Sequence, residues 1–322
     1  MQLSLDSKVK KHNKKANKKK VNNRKVNKIK DNNRLKVAFL ILAHKNPSQI
    51  VTFINALDCE NTTFFIHINK ESHIIDHSLL QNINKKDNVF FIEKRQKVTK
   101  GGYSMVAATL LLLKECLKKD KYDYISLHSG QDLPIKNKYE ILDFLKKNRG
   151  KEFLRFTKVP RKGWGIGDGL HRIEYYWFID EFGFDRSYKL YEKQKELNIK
   201  RKYFEDIQLY GGSLWNTITG ECAQFIIDYV SKNKSFCDYY KYTLYPDEEI
   251  FHTIILNSHF KDRVINNNLR YIDWRSGPQK PRILTKNDYK KLIISDKLFA
   301  RKFDINVDNK IIQKITNRIM GN

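Results

Sequence analysis

The chain lacks an Asp-x-Asp pair, a CxxC pair and any apolar run longer than the stretch from Val37 to Ala43. Each absence excludes something. Without paired carboxylates behind a buried strand, a common way of holding a divalent cation against a phosphate is missing, so no metal and no cofactor are expected. Without clustered cysteines or His at ligand spacing, a structural zinc is excluded. Cys59, Cys116, Cys222 and Cys237 lie far apart and read as reduced, buried thiols. Without a longer apolar run, neither a membrane span nor a secretory signal is expected, which places the chain in the cytoplasm. Glycine and proline are also scarce, at 14 and 6, while apolar residues make up 40%, so collagen-like and wholly disordered classes are ruled out.

What the chain has in excess is positive charge, with 62 Lys and Arg against 36 Asp and Glu and a formal +26. The excess is uneven. Residues 1–34 hold 13 of the cations, among them Lys18, Lys19, Lys20 and Arg24, and only Asp6 and Asp31 as acids. Ordering this Lys- and Asn-rich segment would cost backbone entropy with no burial to offset it, so residues 1–34 read as a disordered basic arm. Such an arm attracts polyanions without specificity, and a non-specific nucleic-acid-binding protein is the most distant alternative for the whole chain. No helix-turn-helix, zinc finger or aromatic RNA-binding signature supports it. Two accounts of the arm stand side by side: peripheral contact with an anionic membrane on its inner face, and plain solubility.

Residues 35–322 read as a single domain of α/β class. Val37 to Leu42 is a continuous apolar run of strand length, and a helical pattern comes after it from Ser48 to Leu57. Thr63–Ile68, Val89–Ile92 and Tyr124–Leu127 read as further strands, and Tyr103–Leu117 as a helix with the stripe Val106, Leu110, Leu113 and Leu117. This alternation predicts a mostly parallel central sheet flanked by helices, with ligands bound where strands end and loops begin. Downstream, Gly163, Gly165, Gly167 and Gly169 punctuate a segment with neither helical nor strand period, which reads as a mobile loop, either linker or lid.

A domain of this kind that handles a phosphate-bearing leaving group needs a metal or fixed cations, and the missing Asp-x-Asp points to cations. Tyr245, Pro246, Asp247, Glu248 and Glu249 precede the helical pattern Ile250, Phe251, Ile254 and Ile255, so the acids are expected in a first helical turn, where the dipole favours carboxylates. A capped helix start with exposed acids is one account of them; a general base is the other. Further on come Trp274, Arg275, Arg282 and a cluster in which apolar residues interleave with Lys297, Arg301 and Lys302. A solvated basic face explains that cluster as readily as a ligand site does.

Seven stretches occur in an order that resembles one known family: Val37–His44, Phe65–Ser72, Gly101–Ser104, Ser129–Pro134, Gly212–Trp215, Pro246–Glu248 and Leu298–Asp304. They look like the core-2/I-branching enzyme family, which unites β-1,6-N-acetylglucosaminyltransferases with peptide O-xylosyltransferases, and a bacterial-type member of it. The resemblance covers about residues 36–308. It implies a GT-A type fold and inverting, metal-independent transfer of a sugar from a UDP donor to a hydroxyl of a glycan or glycolipid acceptor. N-acetylglucosamine is the sugar expected, with UDP-xylose as the alternative donor and polysaccharide biosynthesis as the setting.

By the same resemblance Glu248 is the catalytic base, Arg282 and Lys302 hold the diphosphate, His44, His67, Asn69 and Asp132 lie at the nucleoside and donor, and Trp274 and Asp247 meet the acceptor. The chemistry suits these residue types. A carboxylate takes the acceptor proton as the hydroxyl attacks an oxocarbenium-like anomeric carbon, and cations already in place receive the departing phosphate charge. Departures from the family pattern are Asn69 where relatives commonly have Asp and Lys100 where they often have Trp. The stretch Arg172–Phe178 is nearer the xylosyltransferase and bacterial branches.

Overall fold

A computed structural model describes residues 34–321 apart from 203, 205 and 276–280, and the expected basic arm, save Arg34, lies outside the described residues. Residues 36–322 form one compact unit. Its first half alternates strands and helices: β1 (Val37–Ala43), α1 (Pro47–Leu57), β2 (Thr62–Ile68), α2 (Ser78–Ile83), β3 (Val89–Phe91), α3 (Ser104–Lys119), β4 (Tyr124–Ser129), β5 (Asp132–Pro134) and α4 (Lys138–Lys147). After these come β6 (Glu152–Leu154), β7 (Phe156–Lys158), α5 (Ile179–Glu196), β8 (Tyr210–Gly212), β9 (Thr217–Thr219), α6 (Gly220–Lys232), α7 (Lys234–Tyr240) and α8 (Ile250–Leu256). The chain closes with β10 (Val264–Asn266), β11 (Arg270–Ile272), α9 (Tyr289–Ile293), β12 (Phe299–Arg301) and α10 (Asn309–Met320).

Seven strands form the central sheet in the order β10-β6-β9-β4-β1-β2-β3. The strands from β4 to β3 pair in parallel, as do β10 and β6, whereas β9 runs antiparallel to both of its neighbours, so the sheet is mostly parallel, as expected, with one antiparallel strand. All seven residues of β1 are buried, as a strand covered on both faces requires. Phe39, Phe64 and Phe53 pack on one side, and α3 lays Val106, Leu110 and Leu113 on the other, matching the stripe read from the sequence.

A second, three-stranded sheet in the order β11-β12-β5 grips the carboxyl end of β4. Its internal fastener is Arg270, which is buried and donates to Ser126 Oγ, Leu127 O and Asn216 O at 2.9 Å each and to Thr217 Oγ1 at 2.8 Å. This cross-link between sheets fixes the residues just beyond β12 against the ends of β1 and β4. Of the four cysteines, all free, Cys116, Cys222 and Cys237 are buried and Cys59 is only partly so.

Candidate active site

The carboxyl ends of β1, β2 and β4 lie side by side, because Ala43 pairs with Ile68 and Leu42 with Ser129. The next residues, His44, Asn69 and Gly130, therefore share one rim, the place where ligands bind in open α/β sheets. Residues 302–304, emerging from β12, lie across it. The Phe303 N–H donates to Gln131 O at 2.8 Å, Gln131 Nε2 returns a bond to Phe303 O at 3.0 Å, and Asn46 Nδ2 donates to Asp304 Oδ1 at 2.9 Å. Lys45 pairs with the other oxygen of Asp304 at 2.5 Å. Lys302 is thereby held over the strand ends.

Lys302 is half-buried and has no carboxylate partner among the described residues. Burial lowers its pKa, and Arg301, Lys45 and Lys100 lower it further. Exposed His44 is lowered too, by desolvation and then by Lys45 and Lys302. Arg301, beside Lys302, stacks 4.1 Å over Trp215 and lies 3.5 Å from Asp132 Oδ1. Asp132 is fully buried; its carboxylate accepts from Ser129 Oγ at 2.5 Å and lies 3.3 Å from His128 Nδ1. Burial opposes its ionisation, but Arg301 and these hydrogen bonds outweigh that and hold its pKa low. Asp132 thus braces Arg301 from beneath.

The other expected donor residues are spent largely on one loop. His67 is buried in β2, and its Nε2 accepts from the Gln96 N–H at 2.8 Å; burial pushes its pKa down to about 4. Asn69 donates through Nδ2 to Val98 O at 3.2 Å and accepts from the Val98 N–H at 3.3 Å. Both residues shape the approach to Lys100.

Across that loop stands Glu248. The Tyr245 N–H donates to Gly101 O at 2.9 Å, and Tyr245, at φ 53°, turns the chain into the 3₁₀ turn Pro246–Glu248. The acids differ from a capped, exposed helix start. Asp247 is buried with Oδ1 unpartnered among the described residues, and burial, then Glu248, push its pKa up to about 7. Glu249 is fully buried with neither oxygen hydrogen-bonded among the described residues, and burial pushes it up to about 8. Glu248 alone opens outward, its side chain 33% exposed, and its Oε2 accepts from Arg172 at 2.7 Å. The account of exposed acids fails for the third, because Glu249, the residue that precedes α8, turns inward instead of meeting solvent.

Trp274 comes directly after Asp273 at the end of β11 and is 51% exposed, an open ring face. Its neighbour Asp273 is buried and receives Arg275 and Arg282, the latter through Nε at 3.1 Å and a terminal nitrogen at 3.0 Å. Arg282 also pairs with Asp288, so two carboxylates already engage its charge. The structure therefore brings Lys302, His44 and Asp132 together, sets Asp247 and Glu248 across the Lys100–Gly101 turn, and ties Arg282 into an ion-pair cluster of its own. The sequence pattern gave neither Arg301 nor Arg172 a role in the site. Adjacency to Lys302 was a signal for Arg301; nothing local marked Arg172, whose partner is 76 residues away.

The Gly-rich segment also differs from a free loop. The Gly163 N–H donates to Asp168 Oδ1 at 3.0 Å, the Arg161 N–H to Asp168 O at 2.8 Å, and residues Ile166–Arg172 form 3₁₀ turns. Trp164 turns inward onto Gly169 and Gly211.

Comparison with known proteins fits this arrangement. The Core-2/I-Branching enzyme family matches residues 37–296. Similar proteins include xylosyltransferase 1 of Rattus norvegicus, 26% identical with 96% of this chain and 38% of the relative covered. Xylosyltransferase oxt of Drosophila pseudoobscura pseudoobscura is 24% identical, with 89% of this chain and 34% of the relative covered. Xylosyltransferase sqv-6 of Caenorhabditis elegans is 25% identical, with 86% and 36% covered. The chain spans little more than a third of the length of these relatives.

Proposed function

Because the chain belongs to the Core-2/I-Branching enzyme family, whose fold is GT-A, we propose that it transfers a sugar from a UDP donor to an acceptor hydroxyl, with inversion and without a metal ion. One observation carries this reading: the outward-open carboxylate Glu248 follows Tyr245, which is bonded to Gly101, while Lys302, without a carboxylate partner among the described residues, interacts with the neighbouring Lys100 at the ends of the parallel strands. The names of the relatives favour xylose as the sugar over the N-acetylglucosamine expected from the sequence. Those relatives are animal proteins, and nothing in them supports a bacterial-type placement.

In the proposed reaction the acceptor oxygen attacks the anomeric carbon while its proton passes to Glu248. The bond from that carbon to the diphosphate breaks, and its electron pair leaves with UDP. Lys302 and Arg301 receive the developing charge, the work a divalent ion does elsewhere. Among the described residues no group of three or more His, Cys, Asp or Glu is placed to hold a metal ion. Trp274 offers an apolar ring face to the acceptor sugar, whereas Asp247, expected at the acceptor, is buried beside Glu248. No described helix is long and apolar enough to cross a membrane.

The test is calorimetric titration of the full chain with UDP in EDTA, followed by a donor panel read out as released UDP. Metal-free UDP binding and turnover of UDP-xylose are expected, and Glu248→Gln should lose about 100-fold or more in turnover while keeping UDP affinity. Full turnover by Glu248→Gln would remove the mechanism.

A further inference from the structure

Resting on that reading, a second question is what keeps Glu248 in place. Its carboxylate ends a side chain with three rotatable bonds and is partly open to solvent, so it needs a fixed partner to stay aimed. That partner is Arg172, 13% exposed, which reaches Oε2 at 2.7 Å. The guanidinium is itself confined: its carbon lies 4.3 Å from the Trp164 ring centre and 5.3 Å from that of Tyr245.

Trp164 is fixed in turn. A Cβ at Gly211 would fall 2.2 Å from its ring, and one at Gly169 would fall 2.9 Å from it, so the indole occupies space that two glycines leave free. The backbone around Arg172 is tied on the opposite side, where its carbonyl accepts from the Leu244 N–H at 3.1 Å and Trp177 Nε1 donates to His171 O at 3.0 Å. The segment that reads in the sequence as a linker or lid is thus packed against the base.

We infer that Arg172, clamped between Trp164 and Tyr245, is a positioning residue that occupies Oε2 of Glu248 and leaves Oε1 as the oxygen that takes the acceptor proton. A carboxylate gripped on one oxygen has one productive orientation, and this removes a search from the attack step. Arg172 touches neither donor nor acceptor in this role. Its stacking partners explain the residue type, because a planar guanidinium lies flat on aromatic faces and an ammonium does not.

The experiment measures UDP released from UDP-xylose with water as acceptor, together with calorimetric UDP affinity, for the wild-type full chain, Arg172→Ala and Arg172→Lys. Arg172→Ala should lose about 100-fold in kcat with UDP affinity within about twofold of wild type, since small misplacements cost rates of that order. Millimolar guanidinium should restore at least about tenfold of the loss, and equal urea should not. Arg172→Lys should fall between wild type and alanine. An alanine variant within about threefold of wild-type kcat, or one that binds UDP and is not rescued by guanidinium, overturns the inference. If the alanine variant does not fold, Arg172→Lys decides: wild-type kcat there overturns it, and at least about tenfold loss at unchanged UDP affinity supports it. A wild-type chain that binds no UDP sinks the proposed function, and this inference with it.

Discussion

Gly211→Ala is a perturbation whose sign the structure sets. Gly211 lies in the middle of β8, paired with Thr157, and its φ is not in the left-handed region. At an unstrained position, replacing Gly by Ala restricts the unfolded chain and stabilises by about 0.4–1 kcal/mol. Here the new Cβ would lie 2.2 Å from Trp164 Cη2, 2.6 Å from Cζ3 and 3.4 Å from the Glu248 carbonyl. The indole has no ready retreat, because Gly169 bounds it elsewhere and Arg172 lies on its face. Overpacking of this kind costs about 1–3 kcal/mol, which exceeds the entropic gain. The expected result is a Tm lowered by about 2–8 °C at roughly 2–4 °C per kcal/mol. Turnover should fall with it, since Trp164 cannot move without disturbing Arg172. In a Trp164→Leu background the space is open, so the same Gly211→Ala change should be neutral or stabilising. Differential scanning calorimetry of the four chains checks this. Equal effects of Gly211→Ala in both backgrounds would refute the wedge, since additivity means the two sites do not meet.

Three further outcomes are expected. The folded pKa of Glu249 is raised to about 8 from an ordinary 4.5, so folding retains a proton there; this contribution is present below pH 4.5 and lost as the pH rises to 8. Glu249→Gln removes the dependence, and its urea stability should gain on wild type by about 1.4 kcal/mol per pH unit across that window; parallel curves would contradict it. Lys302→Ala should weaken UDP binding by about 10- to 100-fold, the range for a lost charged contact. Arg282→Ala should leave UDP affinity within about threefold but lower Tm, because Asp273 and Asp288 lose a shared partner. The reverse pattern would return the diphosphate to Arg282.

How much of this was legible beforehand depends on the distance over which each feature is decided. β1 showed itself because burial on both faces leaves an unbroken apolar run, and the α3 stripe because a helix covers a sheet with one face. The start of α8 misled because the acids before it have the composition of an exposed first turn, and composition does not reveal that Glu249 turns inward. Arg282 looked like an available cation because its carboxylates, at positions 273 and 288, compete for it only once the chain has folded back on itself. Asp132, expected at the donor, opens β5 just beyond the parallel strand β4, and its carboxylate faces Arg301 across the antiparallel β5-β12 pairing, a register that no local pattern records. The glycines at 163, 165, 167 and 169 suggested mobility, whereas Gly169 makes room for the Trp164 ring.

The two sides of the site are charged in opposite ways, and burial sets the balance on each. Around Glu248 three consecutive acids would repel one another if all were ionised, but burial lifts Asp247 to about 7 and Glu249 to about 8. At neutral pH Glu249 therefore keeps its proton for most of the time, while Glu248 is paired with Arg172. On the rim, burial works against the cations. Lys302 sits in partly dry surroundings beside Arg301, Lys45 and Lys100, with Asp304 as the opposing acid, and Lys45 already pairs with that acid. A self-repelling cation group costs stability in the empty protein, and a dianion placed among its members offsets the repulsion, so each lowered pKa should rise when the anion binds. In a displacement at an anomeric carbon, electrons move from the acceptor oxygen towards the leaving phosphate. In the proposed reaction the Glu248 carboxylate takes the proton, and Lys302 and its neighbouring cations meet the negative charge that arrives.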